Sequence, residues 1–420
     1  EPFVVGYVCA PGRAQSLRER GLLADCDAAQ GPEGAPARAH AHAHGQAQGA
    51  GAGGGRSSDG GAGSVRFLAL TEARRRGIPV ALVLHKLSDF LHEETSDGAA
   101  AAVTAAARSL KSATRLRVAP SGSDGFYAVR GEVMEAIEAA RAPQLDVLER
   151  VAVVLDRAAL LDLLARGTNG SALPKGVRLP RWGHVRARVG DGAGSGVHVD
   201  AAAAIAAAEA AGVVGAGLQV CMVKPRVAAG APGAHAISLV PASGPAGATA
   251  RSSLSSLGVP PPAIVQECVL HSGVLHKVYC IGDATLHVRK GSLLNAAVRA
   301  IGKPLTFDSQ IKAAPDSGAI ERVGSSITSM TELCAIDVSH AEPSALPADE
   351  AKLRASADAL RRALGLTLFG FDVLVEDGTG DHVVVDVNYW PSFSGADIGD
   401  EEMAKLFRRA LIGAHMNRVE

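Results

Sequence analysis

The stretch "LFGFDVLVEDGTGDHVVVDVNYW", residues 368–390, decides how this chain is read. Two runs rich in Val, Leu and Phe flank the turn-forming DGTG, the pattern of a β-hairpin. With the loop centred on Thr379, residues whose numbers add to the same total face one another, which sets Asp372 opposite Asp386. Side chains return to one face every second residue, so Asn388 shares the face of Asp386. Like charges directly across a strand pair destabilise it. Taken alone, the pattern admits two readings: carboxylates pointing into solvent from an exposed sheet, or a divalent cation between them. Mg2+ suits the second, because it prefers oxygen ligands and is commonly held by one or two carboxylates together with phosphate oxygens.

Working outward, the 420 residues are 47% hydrophobic, enough for two or three domains with a substantial core. A formal net charge of -1 gives no global basic footprint, so no nucleic-acid partner is expected and any polyanion site has to be local. Six scattered cysteines without a CxxC pair argue against structural zinc and against a disulfide framework. A reducing, cytoplasmic setting and a monomer fit best. Outside weakly hydrophobic Ala-rich tracts no apolar run reaches spanning length, so no membrane partner is expected.

Near the start, "PFVVGYVCA" reads as a first strand, and "IPVALVLHKL" after "TEARRRG" reads as a strand following a helix, the alternation of a doubly wound α/β domain. Residues 28–64 between them are Gly, Ala and His with almost no large apolar side chain, so a disordered insertion is expected. Its His40, His42 and His44 are read as low-complexity sequence, because a metal site needs a rigid second shell. An Ala-rich helix is expected near 201–211 and a Pro, Gly, Ala and Ser loop near 241–262. "HKVYCIGDATLHVRK" is a second hairpin, with Gly282-Asp283 in a tight primed turn. "ADEAKLRASADALRRALG" sets Leu353, Leu360 and Leu364 on one helical stripe and stops at Gly365. "EEMAKLFRRALIGAHM" forms a closing amphipathic helix.

Other residues add phosphate chemistry. Lys224 ends the apolar strand "LQVCMVKPRVA", where an ammonium can reach a phosphate or pair with an acid. "GAPGAH" follows, a Gly-rich loop whose backbone amides can wrap phosphates although it matches neither GxGxxG nor the Walker pattern. Gln266 and Glu267 end a strand that can meet an adenine edge through its backbone, Lys277 enters the second hairpin, and Arg289, Lys290 and Ser292 leave it. In this order the parts make a coherent site for nucleotide, Mg2+ and phosphoryl transfer.

These residues resemble the inositol 1,3,4-trisphosphate 5/6-kinase family. The likeness runs through "LHKL" at 84–87, "LDR" at 155–157, "KPRVAAGAPGAH", "VQECVLHSGVLHKVY", "VRKGSL", "LFGFD" and "VDVNYWP", in the manner of plant and algal members. The resemblance implies an α/β ATP-grasp fold of three lobes: 1–150, 151–265 and 266–420, with nucleotide between the central and C-terminal lobes. It implies ATP contacts from Arg157, Lys224, Gln266, Glu267, Ser292 and Ser309. It further implies an inositol polyphosphate held by Arg13, Lys86, His235, Lys277 and Asn388, and Mg2+ held by Asp372, Asp386 and Asn388. Lys224, Asp386 and Asn388 are the expected catalytic set, and His235 a hydrogen-bond donor to a substrate phosphate.

The implied activity is transfer from ATP to a hydroxyl of an inositol tris- or tetrakisphosphate, with extension of the hexakisphosphate to a pyrophosphate left open. Two departures stand out. "APGR" leaves Arg13 where relatives carry lysines, and Ser392 and Phe393 follow "NYWP" where the family continues with Gly and an aromatic. The rival readings are an ATP-grasp ligase joining a carboxylate to an amine, and a non-catalytic sensor of inositol phosphates.

Overall fold

The computed structural model describes residues 3–9, 11–20, 22–23, 65–86, 91–94, 113–117, 126–130, 137–167, 173–189, 197–214, 219–229, 233–254, 256–309, 346–393, 395–396 and 398–419. The expected insertion at 28–64, with its three histidines, lies outside them.

The N-terminal alternation forms a parallel sheet in the order β2-β1-β3, from β1 (Phe3–Val8), β2 (Val65–Ala69) and β3 (Leu82–His85). Helices Pro11–Glu19 and Leu70–Arg75 follow β1 and β2. β4 (Leu91–Glu94), β5 (Ala113–Arg117) and β6 (Phe126–Arg130) add a small antiparallel sheet that the sequence reading did not anticipate. Helices Leu148–Leu155 and Arg157–Arg166 lead out of this region, the second started by Asp156, whose carboxylate accepts from the N–H groups of Ala158 and Ala159.

Beyond them come β7 (Val177–Arg178), β8 (Trp182–Val185), β9 (Arg188–Val189), β10 (Val197–His198), β11 (Val220–Pro225), β12 (Ala236–Pro241), β13 (Ala263–Glu267), β14 (Ser272–Ile281), β15 (Ala284–Leu294), β16 (Leu305–Asp308), β17 (Leu368–Val375) and β18 (His382–Tyr389). Two five-stranded sheets result, β16-β12-β11-β13-β8 and β15-β14-β17-β18-β7.

Sheet membership does not follow chain order on either side of residue 265. β7 precedes β8 in the chain yet pairs in parallel with β18, and β16 follows the second hairpin yet pairs with β12. Strands of two and four residues carry too little alternation to show which edge they join; free edges in the folded molecule decide it. The stretch 241–262, expected as a loop, contains helix Gly244–Arg251, whose buried Gly247 and Ala250 pack on the side of β11 and β12.

The helix expected before the deciding hairpin is Glu350–Leu364, and Leu353, Leu360 and Leu364 are all buried. Each contributes roughly 2 kcal/mol of apolar burial. Gly365 stops it at φ 64, in the left-handed region, and its N–H returns to the carbonyl of Arg361. Helix Ala201–Ala210 forms a core of its own against β11 and β13, with Ala204, Ile205 and Ala208 packed on Cys221, Val223 and Val265. No helix among the described residues is long and apolar enough to cross a membrane.

Candidate active site between the two five-stranded sheets

Asp372 faces Asp386 and Gly370 faces Asn388, as the hairpin pattern sets out, while the pairs nearer the turn sit one residue off it. Immediately after Asp372 the register shifts, Val373 pairing with Val384, so β18 carries one extra residue, Val385. On its other side β17 pairs with β14, and Lys277 lies opposite Asp372. The Lys277 Nζ donates to both carboxylate oxygens, at 2.9 and 2.7 Å. Three strands thus carry a row of cation, anion, anion, which answers much of the electrostatic difficulty of the facing acids. Burial pushes the Asp372 carboxyl up, Lys277 pulls it down, Asp386 pushes it up again, and the net direction is upward. Burial pulls the Lys277 ammonium down, but the Asp372 charge outweighs it and the net direction is also upward. Asn388 Nδ2 donates to Asp386 Oδ2 at 2.8 Å, fixing the amide beside the row.

The facing sheet supplies Lys224 from β11. Its buried Nζ donates to Gln266 Oε1 at 3.0 Å. Burial lowers its pKa to about 8, with Arg157 pushing the same way and Asp386 opposing. The Gln266 Nε2 in turn donates to the carbonyl of Val385 at 3.3 Å. A side chain of β13 thereby spans to the extra residue of β18 and ties the two sheets at the base of the cleft.

Arg157 Nη1 donates to the carbonyls of Pro225, Val227 and Ala234, at 2.7, 2.9 and 3.3 Å, so it holds both flanks of the Gly-rich loop. With Gln266, Asp386 and the apolar Leu161, Leu179 and Val385 it lines the cleft between the sheets. His235 closes that loop, and its carbonyl accepts from the N–H of Ser309 at 2.9 Å. Burial first, then Arg157, lowers the His235 pKa, which favours a neutral imidazole. Cross-strand pairing therefore sets Lys277, Asp372, Asp386 and Asn388 in one cluster, with Lys224, Gln266 and Arg157 brought up to it from the facing side, and His235 pairs with Ser309.

Lys86, just past β3, reaches the other end of β18. Its ammonium donates to the carbonyl of Tyr389 and lies 5.2 Å from the centre of the Tyr389 ring. That puts it one residue from Asn388. Arg13 sits in the first turn of helix Pro11–Glu19, and Ser292 lies on β15, two strands from β17; these two are placed by their elements alone.

Glu267 departs from its expected place among nucleotide contacts, as far as its side chain is concerned. The carboxylate accepts from Arg178 Nη1 and Nη2, both at 3.0 Å, and from the Arg181 backbone N–H at 2.9 Å and its Nη2 at 3.1 Å. Burial alone would raise the Glu267 pKa, but these hydrogen bonds hold it down to about 2. Arg178 also donates to Glu376 at 2.7 Å, so the clasp joins β13 to the end of β17. The sequence reading missed Arg178 and Arg181; the signal was "VRLPRWG", two arginines three apart beside a short strand. It also missed the buried pair of Arg226 with Asp156, whose N–O separation is 2.7 Å.

Residues 194–403, half of the chain, match the family model for the inositol 1,3,4-trisphosphate 5/6-kinase ATP-grasp domain. The chain belongs to the inositol 1,3,4-trisphosphate 5/6-kinase family. Its fold is accordingly the α/β ATP-grasp, and the matched segment of the family runs through β11 to β18 with every expected site residue except Arg13, Lys86 and Arg157. Inositol-tetrakisphosphate 1-kinase 6 of Oryza sativa subsp. indica is 38% identical over 175 residues, which are 41% of this chain and 28% of that protein. Inositol-tetrakisphosphate 1-kinase of Xenopus laevis is 30% identical over 138 residues, 33% of this chain and 31% of its own length. The match therefore spans less than a third of either relative. A solved D-alanine–D-alanine ligase from Bacillus anthracis aligns over 99% of this chain and 96% of its own at 11% identity, with a TM-score of 0.41.

Proposed function

We propose that the chain is a kinase that transfers the γ-phosphoryl group of ATP to a hydroxyl of an inositol tris- or tetrakisphosphate, with Mg2+ held by Asp372, Asp386 and Asn388. The observation that carries this reading is the row Lys277, Asp372, Asp386 facing Lys224 across one cleft. The donor set suits a hard cation: two carboxylates and an amide on one face, with an ammonium already at Asp372. Among the described residues no group of three His, Cys, Asp or Glu side chains could hold a metal, so the remaining ligands would be phosphate oxygens and water. Bound there, Mg2+ would neutralise charge on the triphosphate.

The chain's own groups supply the rest. Lys224, with its pKa near 8, gains its full charge as a phosphate arrives. Arg157 holds the carbonyls of Pro225, Val227 and Ala234, and Gln266 ties the two sheets together. On the acceptor side Arg13, Lys86, Lys277 and His235 supply cations and a hydrogen-bond donor for several phosphates, which favours a polyanion over an amino acid. Positioning and charge neutralisation then account for the rate, and no covalent intermediate is required. The cysteines Cys221, Cys268 and Cys280 are buried and free, which is compatible with a reducing, cytoplasmic setting.

The test is a panel of inositol phosphates with ATP and Mg2+, resolved by regioisomer, for the wild type, Asp386→Asn and Asp372→Ala. Both variants should lose turnover by at least about a hundredfold. Near-normal kcat in either at low Mg2+ would remove the carboxylates from the reaction, and ADP release that depends on an added amine would point to a ligase.

A further inference from the structure

The segment that follows Asn388, residues 389–393, has more holding it than a chain turn requires. Trp390 at φ 40 and Phe393 at φ 53 are both in the left-handed region, where residues other than glycine stay only if their surroundings hold them. Both are buried. Trp390 stacks on Phe407 at 6.1 Å, and Phe407 stacks on Phe67 of β2 at 6.5 Å, an aromatic column from the strap to the N-terminal sheet. The strap lies flat because Gly370 is beneath it: a Cβ there would stand 3.0 Å from Pro391 Cγ.

Three polar contacts join the strap to the N-terminal lobe. Tyr389 Oη donates to the carbonyl of His85 at 2.9 Å. Arg20 Nη1 donates to the carbonyl of Ser392 at 2.6 Å, while its Nε donates to Asp400 at 2.9 Å. Lys86 meets the same strap through the Tyr389 carbonyl. A polyphosphate that draws Lys86 away from that carbonyl would leave the strap to Arg20 and the Tyr389 hydroxyl.

We propose that Arg20 and Tyr389 are positioning residues of the acceptor site. They hold the strap against the N-terminal lobe, so that Asn388 and Lys86 present a fixed spacing to the inositol polyphosphate. This rests on the kinase reading above. It assigns a role to two residues that touch neither nucleotide nor metal, and it gives Ser392 a reason to be tolerated, since it is the backbone carbonyl at that position that Arg20 holds.

The experiment uses the full chain carrying Trp182→Phe, which leaves Trp390 as the sole tryptophan. Arg20→Met and Tyr389→Phe should red-shift Trp390 emission and increase its quenching by acrylamide. Arg20→Met should raise KM for inositol tetrakisphosphate about tenfold, the loss of a charge-assisted hydrogen bond, and Tyr389→Phe about fivefold, the loss of a neutral one, with KM for ATP within about twofold in both. Arg20→Lys, able to keep one of the two partners, should recover part of the loss. Unchanged emission in both variants, or equal rises in the two KM values, overturns the proposal. Should the wild type phosphorylate no inositol phosphate, the kinase reading fails instead. Calorimetric binding of inositol hexakisphosphate then takes the place of KM, and equal affinity for wild type and Arg20→Met overturns the positioning role.

Discussion

Replacing Lys277 with Met takes the ammonium from both oxygens of Asp372 and leaves that carboxylate facing Asp386 across the strand pair. The pair is closely made, at 2.7 Å, with side chains 25% and 15% exposed. Unit charges about 4 Å apart attract by about 4 kcal/mol at an effective dielectric constant of ~20, and the partial solvent access brings the expected coupling down to about 2 kcal/mol. A double-mutant cycle of Lys277→Met and Asp372→Asn, followed by urea unfolding at neutral pH, measures it. Lys277→Met alone should cost about 2 to 3 kcal/mol, and the second substitution should return most of that by removing the stranded charge. Saturating Mg2+ should stabilise Lys277→Met more than the wild type, because the variant's two acids have no competing ammonium. Additive single effects, with a coupling below about 0.5 kcal/mol, would refute the view that Lys277 is what lets the two acids face each other.

Lys224 gives a pH signature. Its folded pKa is lowered to about 8 from 10.5, so its contribution to stability is fully present above 10.5 and is lost as pH falls through 8. Wild type should gain on Lys224→Met as pH rises through this window, and parallel stability curves would sink the assignment. The same titration should make kcat/KM for ATP fall above pH ~8, with Lys224→Arg moving that limb upward. Glu267 has the opposite pH range: lowered to about 2 from 4.5, it contributes stability that is present above 4.5 and lost as pH falls toward 2. Glu267→Gln should lose about 3 kcal/mol at neutral pH by breaking the two-arginine clasp and should flatten the acid limb, as read by denaturant unfolding at several pH values.

Local pattern determined a good deal of this molecule. The two-residue period of the strands and the DGTG turn set Asp372 against Asp386 with Asn388 beside it, and the register has that pairing, although the turn-side pairs are one residue off and the extra residue Val385 makes up the difference. The helical stripe of Leu353, Leu360 and Leu364 with a stop at Gly365, and the Gly282 turn between β14 and β15, were legible for the same reason: face and turn are properties of neighbouring residues. Partners from distant stretches were not. Lys277 could be recognised as a base but not joined to Asp372, because that needs β14 and β17 side by side, and Lys86 meets Tyr389 across some three hundred residues. The Glu267 carboxylate could not be joined to Arg178 and Arg181 either, since they come from a separate stretch of the chain. Which edges pair, and which charges are then buried together, follows from the packing of whole sheets. Burial decides what a carboxylate or an ammonium must find as its partner, and only the tertiary structure settles that.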